Sequence, residues 1–199
     1  MGGIDFMVRT TVHLIRHEQT LANRERRYIG WTDQPIIQRV EAIIPIEPAI
    51  VIGSDLVRCE QTASCYFPHV PFVADERFRE LHFGDYEMKT YTDLQHIAEY
   101  RSWINDPFHT TPPRGESFAH FQSRVLTAFH EMAAIYSEPV FVVHGGVIKL
   151  ILADCFKKGF HEVHAAHRKL YTVSWEEGNT CMSLSEEPIT VSGNTLLNS

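Results

Sequence analysis

The chain has 199 residues, of which 44% are hydrophobic and 22% are charged, a composition typical of one globular domain over residues 1–199 and unlike that of disordered, collagenous or coiled-coil chains. Its formal net charge of −7 provides no basic field that would attract nucleic acid or a membrane surface. No apolar run approaches the roughly 18 residues that a membrane span needs. We therefore expect a cytoplasmic protein with no nucleic-acid or membrane partner. Its four cysteines show no C-x-x-C spacing and are expected to be reduced.

The first part of the chain alternates apolar runs with polar, helix-forming stretches. Residues 11–15 predict a strand, and a polar helical stretch follows to Arg27. Isoleucines and a valine between residues 36 and 44 recur at three- and four-residue steps, which predicts a helix that ends at Pro45. Residues 49–53 then predict a second apolar strand.

A helix that runs to about Tyr66 is expected next. The short side-chain oxygens of Ser54 and Asp55 suit the cap at its N-terminus. Residues 76–113 mix charges, aromatic residues and prolines, and we expect them to form a lid over a site, with a helix near residues 91–103.

The second half of the chain contains the strongest helix prediction, residues 117–136, where apolar side chains form one stripe at helical spacing. Residues 139–143 are a continuous apolar strand that leads into a helix over residues 147–156. Near the end, residues 170–175 and 180–184 flank a Glu-Gly-Asn turn, which predicts a β-hairpin.

Strands that alternate with helices predict an α/β fold with a mostly parallel central sheet, helices on both of its faces and a C-terminal hairpin. Chemically active residues follow three of the predicted strands: Arg16 and His17, Ser54 through Arg58, and His144 and Gly145. Ligands of open α/β sheets bind outside the carboxyl ends of the strands. We therefore expect two arginines and two histidines at one place.

This set of side chains suits chemistry on a phosphoryl group. Two arginines offer fixed forks of donors for phosphate oxygens, and the N-termini of the following helices add N–H donors. A neutral imidazole can attack phosphorus while a second imidazole donates a hydrogen bond to the oxygens. Such a covalent route also needs an acid to protonate the departing alkoxide, and it uses no metal or cofactor.

Four stretches of the chain carry these residues: Leu-Ile-Arg-His-Glu-Gln-Thr at 14–20, Ser-Asp-Leu-Val-Arg-Cys-Glu-Gln-Thr-Ala at 54–63, Arg-Glu-Leu-His-Phe-Gly-Asp-Tyr-Glu at 79–87 and Val-His-Gly-Gly at 143–146. Together and in this order they resemble the motifs of the histidine phosphatase superfamily, the phosphoglycerate mutase-like group named for its Arg-His-Gly signature. The resemblance implies that fold and makes His17 the phosphorylated nucleophile. It also implies that Arg16, Arg58 and His144 surround the phosphoryl oxygens and that Glu80 is the proton donor.

The resemblance extends to residues that bind a small phosphomonoester. Asn23 matches an asparagine six residues past the nucleophile, and Thr20 lies within the same motif. Gly30 begins a Gly-Trp-Thr-Asp-Gln-Pro stretch that resembles a family turn near the phosphate, and Gly145 follows the second histidine. Thr20 and Asn23 are therefore expected as secondary binding residues, and Gly30 and Gly145 as further contacts.

Glu18 departs from the family pattern, because it stands where the signature has glycine. A carboxylate that points into the pocket would repel phosphate. A carboxylate that points outward would be a helix-start acid whose charge is screened by water. Since the other motifs match, we expect the outward direction.

Within the family, the length of the chain favours hydrolysis, because mutases usually carry a long lid insertion for which this chain has no room. Residues 103–117 most resemble the α-ribazole phosphatase branch, which removes a 5′-phosphate late in cobalamin assembly, although broad-specificity phosphatases share the Gly-Glu-Ser turn. Two alternatives stay open. One is a mutase-type phosphotransferase, and the other is a catalytically silent phospho-ligand-binding module in which Glu18 has spoiled the pocket.

A few other chemistry-bearing residues are interpreted as structural. His161, His164 and His167 recur at three-residue steps and would share one helical face. Because Glu162 is the only nearby residue that would add to a ligand pattern, they are interpreted as surface histidines and not as a metal site. Cys59 is expected to be a small buried residue.

Overall fold

A mixed six-stranded sheet runs through this computed structural model, which describes residues 9–176 and 182–196. Its strands are β1 (Arg9–Arg16), β3 (Val51–Gly53), β4 (Phe72–Ala74), β5 (Val140–Val143), β6 (Lys169–Glu176) and β7 (Met182–Pro188), in the spatial order β4-β3-β5-β1-β6-β7. Neighbours from β4 to β1 are parallel, and β6 and β7 add antiparallel pairs at the other edge. Two further strands, β2 (Gln38–Ile43) and β8 (Thr190–Leu196), form a separate antiparallel pair.

Helices cover both faces of the sheet: α1 (Leu21–Arg24), α2 (Val57–Tyr66), α3 (Tyr91–Leu94), α4 (Ala98–Asn105), α5 (Phe118–Ile135) and α6 (Gly145–Phe156). On one face, Phe129 of α5 and Ile148 of α6 share a buried cluster with Phe141 of β5. On the other face, Ala63 of α2 shares a second cluster with Val140 of β5. The predicted α/β class, with helices on both faces of a mostly parallel sheet, is confirmed.

The central parallel strands β3 and β5 are short and buried on both faces. All four residues of β5 have 0% exposure, because the two helical layers leave neither face of the sheet to solvent. The end of β3 depends on a small residue, since a Cβ on Gly53 would lie 2.4 Å from the carbonyl oxygen of Val142. Glycine therefore lets β3 and β5 approach closely at the end of the sheet where the predicted site residues follow.

The helix predicted over residues 36–44 is wrong. Residues 38–43 form β2, which pairs with β8 from Gln38–Leu196 to Ile43–Thr190. Exposure alternates along it, so that Val40 is 5% exposed and Ile43 is 68% exposed. Over so short a run the apolar spacing fits either period, and pairing with a strand near the C-terminus decides the outcome.

Ser54 and Asp55 do not cap α2 as expected. The residue at the cap is Leu56, which makes no side-chain cap bond. The first helical N–H, that of Val57, donates instead to Oδ1 of Asp33 at 2.9 Å. A cap from a distant loop satisfies the same unpaired donor as a local one, and it also docks that loop onto the start of α2.

The remaining elements follow the expected order with smaller differences. The helix predicted near residues 91–103 is divided into α3 and α4. The predicted C-terminal hairpin is confirmed by the antiparallel β6–β7 pair, and the residues of its turn, 177–181, lie outside the described residues. In the described parts of the chain, no helix is both long enough and apolar enough to cross a membrane.

Candidate active site

The carboxyl ends of the parallel strands bring the predicted arginines and histidines together. β1 ends at Arg16, opposite Val143 of β5, and the backbone N–H of His17 donates to the Val143 carbonyl at 2.9 Å. The rings of His17 and His144 lie edge to face, with centroids 5.1 Å apart. Arg58 reaches the same place from the first turn of α2, where its Nε donates to His144 Nδ1 at 3.3 Å. The chemical roles of these residues stay predictions.

His17 is held in the tautomer that a nucleophile needs. Its Nδ1 lies 2.7 Å from the carbonyl oxygen of Glu18, which can only accept, so Nδ1 carries the proton and Nε2 keeps a free lone pair. Burial, followed by the positive charges of Arg58 and Arg16, holds the pKa of His17 well below its usual range. His17 is therefore neutral at pH 7, as attack on phosphorus requires.

Arg58 is fully buried, and no described carboxylate forms an ion pair with it. Its Nη2 donates to the Gly30 carbonyl at 2.6 Å and its Nη1 donates to the Thr32 carbonyl at 2.9 Å. Both terminal nitrogens have a second hydrogen to donate. Burial and then the charge of Arg58 also hold the pKa of His144 well below its usual range. A buried cation whose charge no direct ion pair neutralises strongly favours an anion beside it.

Glu87 fixes the turn that holds Arg58. Its carboxylate accepts hydrogen bonds from the backbone N–H groups of residues 30–32 at 3.0–3.1 Å. The turn is tightly packed, because a Cβ on Gly30 would lie 2.0 Å from the Leu81 carbonyl oxygen. The N–H of Gly30 is taken by Glu87 and its carbonyl by Arg58. The structure therefore places Gly30 as a support for Arg58, and its expected role as a substrate contact stays a prediction.

Arg16 has one donor fixed and another free. Its Nη1 donates to the Ala165 carbonyl at 2.9 Å, while its Nε is buried and has no hydrogen-bond partner among the described residues. A buried donor without a partner costs free energy unless a ligand or water satisfies it. A Cβ on Gly145 would lie 3.1 Å from Arg16 Cζ, so glycine leaves room for the guanidinium. The space beside Arg16 is suited to an anion.

Glu80 lies at the N-terminus of α6. Its Oε2 accepts from the Gly146 N–H at 2.7 Å and its Oε1 accepts from the Leu81 N–H at 3.0 Å. A Cβ on Gly146 would lie 2.2 Å from Oε1, so this approach requires glycine. Glu80 lines the same cavity as Arg16, and its carboxyl group is therefore placed beside the space for the anion.

A buried ion pair holds the segment that carries Glu80. Arg124 of α5 donates to the carbonyl oxygens of Arg77, Arg79 and Glu80 at 2.7–2.9 Å, and it also binds both carboxylate oxygens of Glu116 at 2.7 Å. Burial pushes the pKa of Glu116 upward, but the contacts with Arg124 outweigh it and the pKa falls below the usual range. The Gly-Glu-Ser turn thus supports the proposed proton donor, a role that sequence reasoning missed.

Thr20 and Asn23 hold each other at the start of α1. Oγ1 of Thr20 accepts from the Asn23 N–H at 3.2 Å, and Oδ1 of Asn23 accepts from the Thr20 N–H at 3.1 Å. Thr20 is fully buried and caps the helix, so its hydroxyl is engaged with Asn23, and its expected role as a secondary binding residue stays a prediction. Asn23 lines a cavity of about 460 Å³ together with Arg16, Gln19 and His167.

The main cavity extends from these polar groups to an aromatic wall. It has a volume of about 640 Å³, and Arg16, Glu80, Gly145 and Gly146 form its polar end. We define the aromatic wall as the tyrosine, tryptophan and phenylalanine residues of its lining: Tyr28, Phe83, Trp103, Phe108, Phe118, Phe121 and Phe160. Lys149 stands among these rings, with its Nζ 4.8 Å from the Phe160 ring centroid. The sequence did not mark any of these residues as a substrate contact.

The whole arrangement matches a known family. The family model of the histidine phosphatase superfamily (branch 1) matches residues 12–185. The chain belongs to this superfamily. It is similar to the adenosylcobalamin/alpha-ribazole phosphatase of Escherichia coli (strain K12), with 32% identity over 154 residues that cover 70% of this chain and 76% of the relative. It is also similar to the 2,3-bisphosphoglycerate-dependent phosphoglycerate mutase 2 of Gloeobacter violaceus, with 29% identity over 163 residues that cover 71% of this chain and 73% of the relative.

Solved structures show the same fold. The alpha-ribazole phosphatase from Shigella flexneri has a TM-score of 0.75 at 23% identity, covering 88% of this chain and 94% of that one. Bacillus stearothermophilus YhfR has a TM-score of 0.72 at 26% identity, covering 82% of this chain and 90% of that one. The phosphoglycerate mutase-like fold is therefore confirmed, and relatives that are phosphatases and mutases support an enzyme.

The glutamate that replaces the glycine of this superfamily does not point into water as expected. The side chain of Glu18 is 4% exposed, and it lines neither the main cavity nor the smaller one. Tyr66 donates its hydroxyl hydrogen to the carboxylate, and Arg168 Nε donates to Oε1 at 3.0 Å. An internal cation therefore compensates the charge, and the outward expectation is wrong.

The three histidines near the C-terminus do not share a helical face, because the helical turn in this region covers only residues 160–162. His161 and His164 line the main cavity. His167 stands against His17, with ring centroids 5.7 Å apart, and its Nδ1 donates to the His17 carbonyl at 2.7 Å. Burial and then the charge of Arg16 lower the pKa of His167 to about 4. Among the described residues, no group of three His, Cys, Asp or Glu side chains could hold a metal ion.

Proposed function

We propose that this histidine phosphatase hydrolyses a small phosphomonoester through a covalent phosphohistidine at His17, without a metal ion or an organic cofactor. The observation that carries the proposal is the His17 imidazole, which is buried and neutral and has its Nδ1 bound to the Glu18 carbonyl. Arg16, Arg58 and His144 lie around it. These groups supply the charge stabilisation that a metal ion supplies in other phosphatases.

The reaction has two steps. In the first, His17 Nε2 forms a bond to phosphorus as the bond from phosphorus to the leaving oxygen breaks, and protonated Glu80 gives its proton to that oxygen. In the second, a water molecule attacks the phosphohistidine and gives its proton to the Glu80 carboxylate. The nitrogen–phosphorus bond breaks, which releases phosphate and restores both His17 and Glu80.

The aromatic wall favours a substrate with a large apolar or aromatic leaving group. A cavity of about 640 Å³ lies in the range of sites that enclose drug-sized ligands and is much larger than a three-carbon acid requires. α-Ribazole 5′-phosphate joins a benzimidazole ring to a phosphorylated sugar, and its ring suits stacking on such a wall. The name of the Escherichia coli relative supports the same substrate.

A phosphoglycerate mutase-type phosphotransfer is the second candidate. The Gloeobacter violaceus relative favours it, and Lys149 provides a cation within the main cavity for the carboxylate of a small phosphorylated acid. The silent binding module loses its main support, because it assumed that Glu18 spoils the pocket. The carboxylate of Glu18 is instead bound by Arg168 and Tyr66.

The experiment that tests these candidates compares four substrates in the presence of EDTA: p-nitrophenyl phosphate, α-ribazole 5′-phosphate, glycerol phosphate and 3-phosphoglycerate. We expect hydrolysis to persist, an acid-labile phosphoenzyme to accumulate, and kcat/KM to be highest for α-ribazole 5′-phosphate. Activity that requires added metal would contradict the proposed route. Conversion of 3-phosphoglycerate to 2-phosphoglycerate faster than phosphate release would favour the mutase. Phosphate binding without turnover would establish the silent module.

A further inference from the structure

Three hydrogen bonds connect residues 16–18, the nucleophile motif, to residues 165–168, and each motif residue takes part in one of them. Arg16 Nη1 donates to the Ala165 carbonyl at 2.9 Å and His167 Nδ1 donates to the His17 carbonyl at 2.7 Å. Arg168 Nε donates to Glu18 Oε1 at 3.0 Å. The first two bonds use backbone carbonyls, which any sequence supplies. The third depends on the side chain that replaces the glycine of the family signature. This chain therefore has a link that a glycine could not provide.

The ion pair between Glu18 and Arg168 is partly buried and has a defined two-point geometry, unlike an isolated pair at the surface. The two side chains are 4% and 44% exposed, so the carboxylate is buried while the guanidinium reaches it from the edge. The fork meets both oxygens, with Nε 3.0 Å from Oε1 and Nη2 3.2 Å from Oε2, which fixes direction as well as distance. Arg168 also has a φ of 56°, in the left-handed region that is uncommon for non-glycine residues.

The pair acts on the nucleophile through the peptide group of Glu18. The Glu18 carbonyl accepts the His17 Nδ1 hydrogen at 2.7 Å, so the direction of this carbonyl sets both the tautomer and the orientation of the imidazole. The Glu18 N–H is held by Thr62 Oγ1 at 2.8 Å. With its side chain held by Arg168 as well, Glu18 has little freedom to rotate its carbonyl away from His17.

We propose that Glu18 and Arg168 form a positioning clamp that holds the His17 imidazole with Nε2 directed at phosphorus. This inference rests on the proposed phosphohistidine route. Neither residue touches the substrate, so both are positioning residues. The clamp explains how Glu18 can stand in place of the signature glycine beside the nucleophile, because Arg168 compensates a carboxylate that would otherwise repel the phosphate.

The test uses the full chain with four changes: Glu18→Gln, Arg168→Gln, the double variant and Arg168→Lys. Arg114→Gln is a matched control, because Arg114 also has a left-handed φ, 57°, and pairs with a carboxylate, that of Asp85, on the exposed surface. For each protein we would measure the rate of phosphoenzyme formation per titrated active site, the Kd of inorganic phosphate, and the ¹⁵N chemical shifts of His17. Normalising to titrated sites removes the effect of any misfolded fraction.

We expect the two Gln variants to form phosphoenzyme roughly tenfold to a hundredfold more slowly, because a displacement of about 1 Å can cost roughly 10²-fold in rate. The phosphate Kd should stay within about threefold, because Arg16, Arg58 and His144 are unchanged. The double variant should be no slower than the slower single variant, since both single changes break the same ion pair. Arg168→Lys should recover part of the rate, and the control should match the wild type.

Two results would overturn the clamp. Unchanged rates in Glu18→Gln and Arg168→Lys would make the ion pair purely structural, and this comparison stands even if Arg168→Gln fails to fold around an unpaired Glu18. Faster phosphoenzyme formation with tighter phosphate binding in Glu18→Gln would show that the carboxylate repels the substrate. A wild type that forms no phosphoenzyme would contradict the proposed function instead. The ¹⁵N shifts would then decide the clamp alone, because it requires His17 to lose its fixed tautomer in Glu18→Gln.

Discussion

The polar groups around His17 and the aromatic wall of the main cavity are built in different ways. The polar floor, which we define as Arg16, His17, Arg58 and His144, is attached to strand ends and to the first turn of α2, and its groups are bound to backbone carbonyls or to one another. The aromatic wall comes from helices and loops, and one of its rings, Phe108, is 39% exposed. The chemistry is therefore fixed by the sheet, whereas substrate choice depends on side chains that can change without disturbing it.

The largest effect is expected from removing the nucleophile in the floor. His17→Ala should lower kcat by at least about 10⁴-fold and abolish the acid-labile phosphoenzyme, because the covalent route is lost. His144→Ala removes only a donor to the phosphoryl oxygens and should cost about 10²–10³-fold. Steady-state kinetics and phosphoenzyme trapping would measure both. Equal residual activity in the two variants would contradict the assignment of His17 as the nucleophile.

The second largest effect is expected from Glu80, the proposed proton donor to the leaving group. Glu80→Gln should slow the hydrolysis of alkyl phosphates by about 10²–10⁴-fold, because a basic alkoxide needs a proton to depart. Hydrolysis of p-nitrophenyl phosphate should fall much less, since its leaving group departs without help. Glu76→Gln, on the exposed turn that precedes this segment, is the control. Equal slowing of both substrates would make Glu80 a positioning residue.

The floor could be predicted from the sequence because each of its residues lies at the end of an apolar strand, directly after one, or in the first turn of the helix that follows. The parallel arrangement of these strands then brings the residues together, as seen for His17 beside Val143 and for His144 beside Arg58. Local pattern and global fold agree at these positions. The same agreement holds for α5, whose apolar stripe predicted it closely.

The remaining features depend on contacts between residues that are far apart in the chain. Glu87 supports Arg58 through the turn at residues 30–32, and nothing local to Glu87 indicates this. The strand β2 forms because a segment near the C-terminus pairs with it, although its apolar spacing also fits a helix. Arg168 follows three histidines that were interpreted as surface residues, and its partner Glu18 was expected in water. Side-chain pairing at this separation leaves no periodic signal in a single sequence.

A smaller effect is expected on the pH dependence of stability, and it comes from His167, a histidine that is not part of the polar floor. The pKa of His167 is lowered to about 4, mainly by burial. Between pH 6.5 and 4 the unfolded chain binds a proton at this residue and the folded chain does not, so stability is present above pH 6.5 and is lost as the pH falls. From pH 7 to pH 5 the loss from this one group is about 2 kcal/mol.

This loss can be measured by urea unfolding at the two pH values. His167→Gln should remove about 2 kcal/mol of the pH dependence, and His69→Gln, at an exposed position, is the control variant. A pH dependence that is the same in His167→Gln and in the wild type would show that His167 takes up its proton equally in both states.

The smallest effect is expected in the wall, and it is selective. Phe108 packs edge to face on Phe118 with ring centroids 4.7 Å apart. Because Phe108 is partly exposed, replacing it should lower the stability of the fold only slightly. Phe108→Ala should raise KM for an aromatic phosphomonoester by about three- to tenfold, because one aromatic contact contributes about 0.5–1.5 kcal/mol. The KM for glycerol phosphate should not change, since that substrate is too small to reach the ring. Ile135→Ala, at an exposed position of α5 outside the cavity lining, is the control for both substrates.

If both substrates lost affinity equally, Phe108 would be shaping the polar floor, and the floor and the wall would not have separate roles in catalysis and in substrate choice. If neither did, the aromatic leaving group would have to bind elsewhere, and the smaller cavity beside Asn23 would become the place to look.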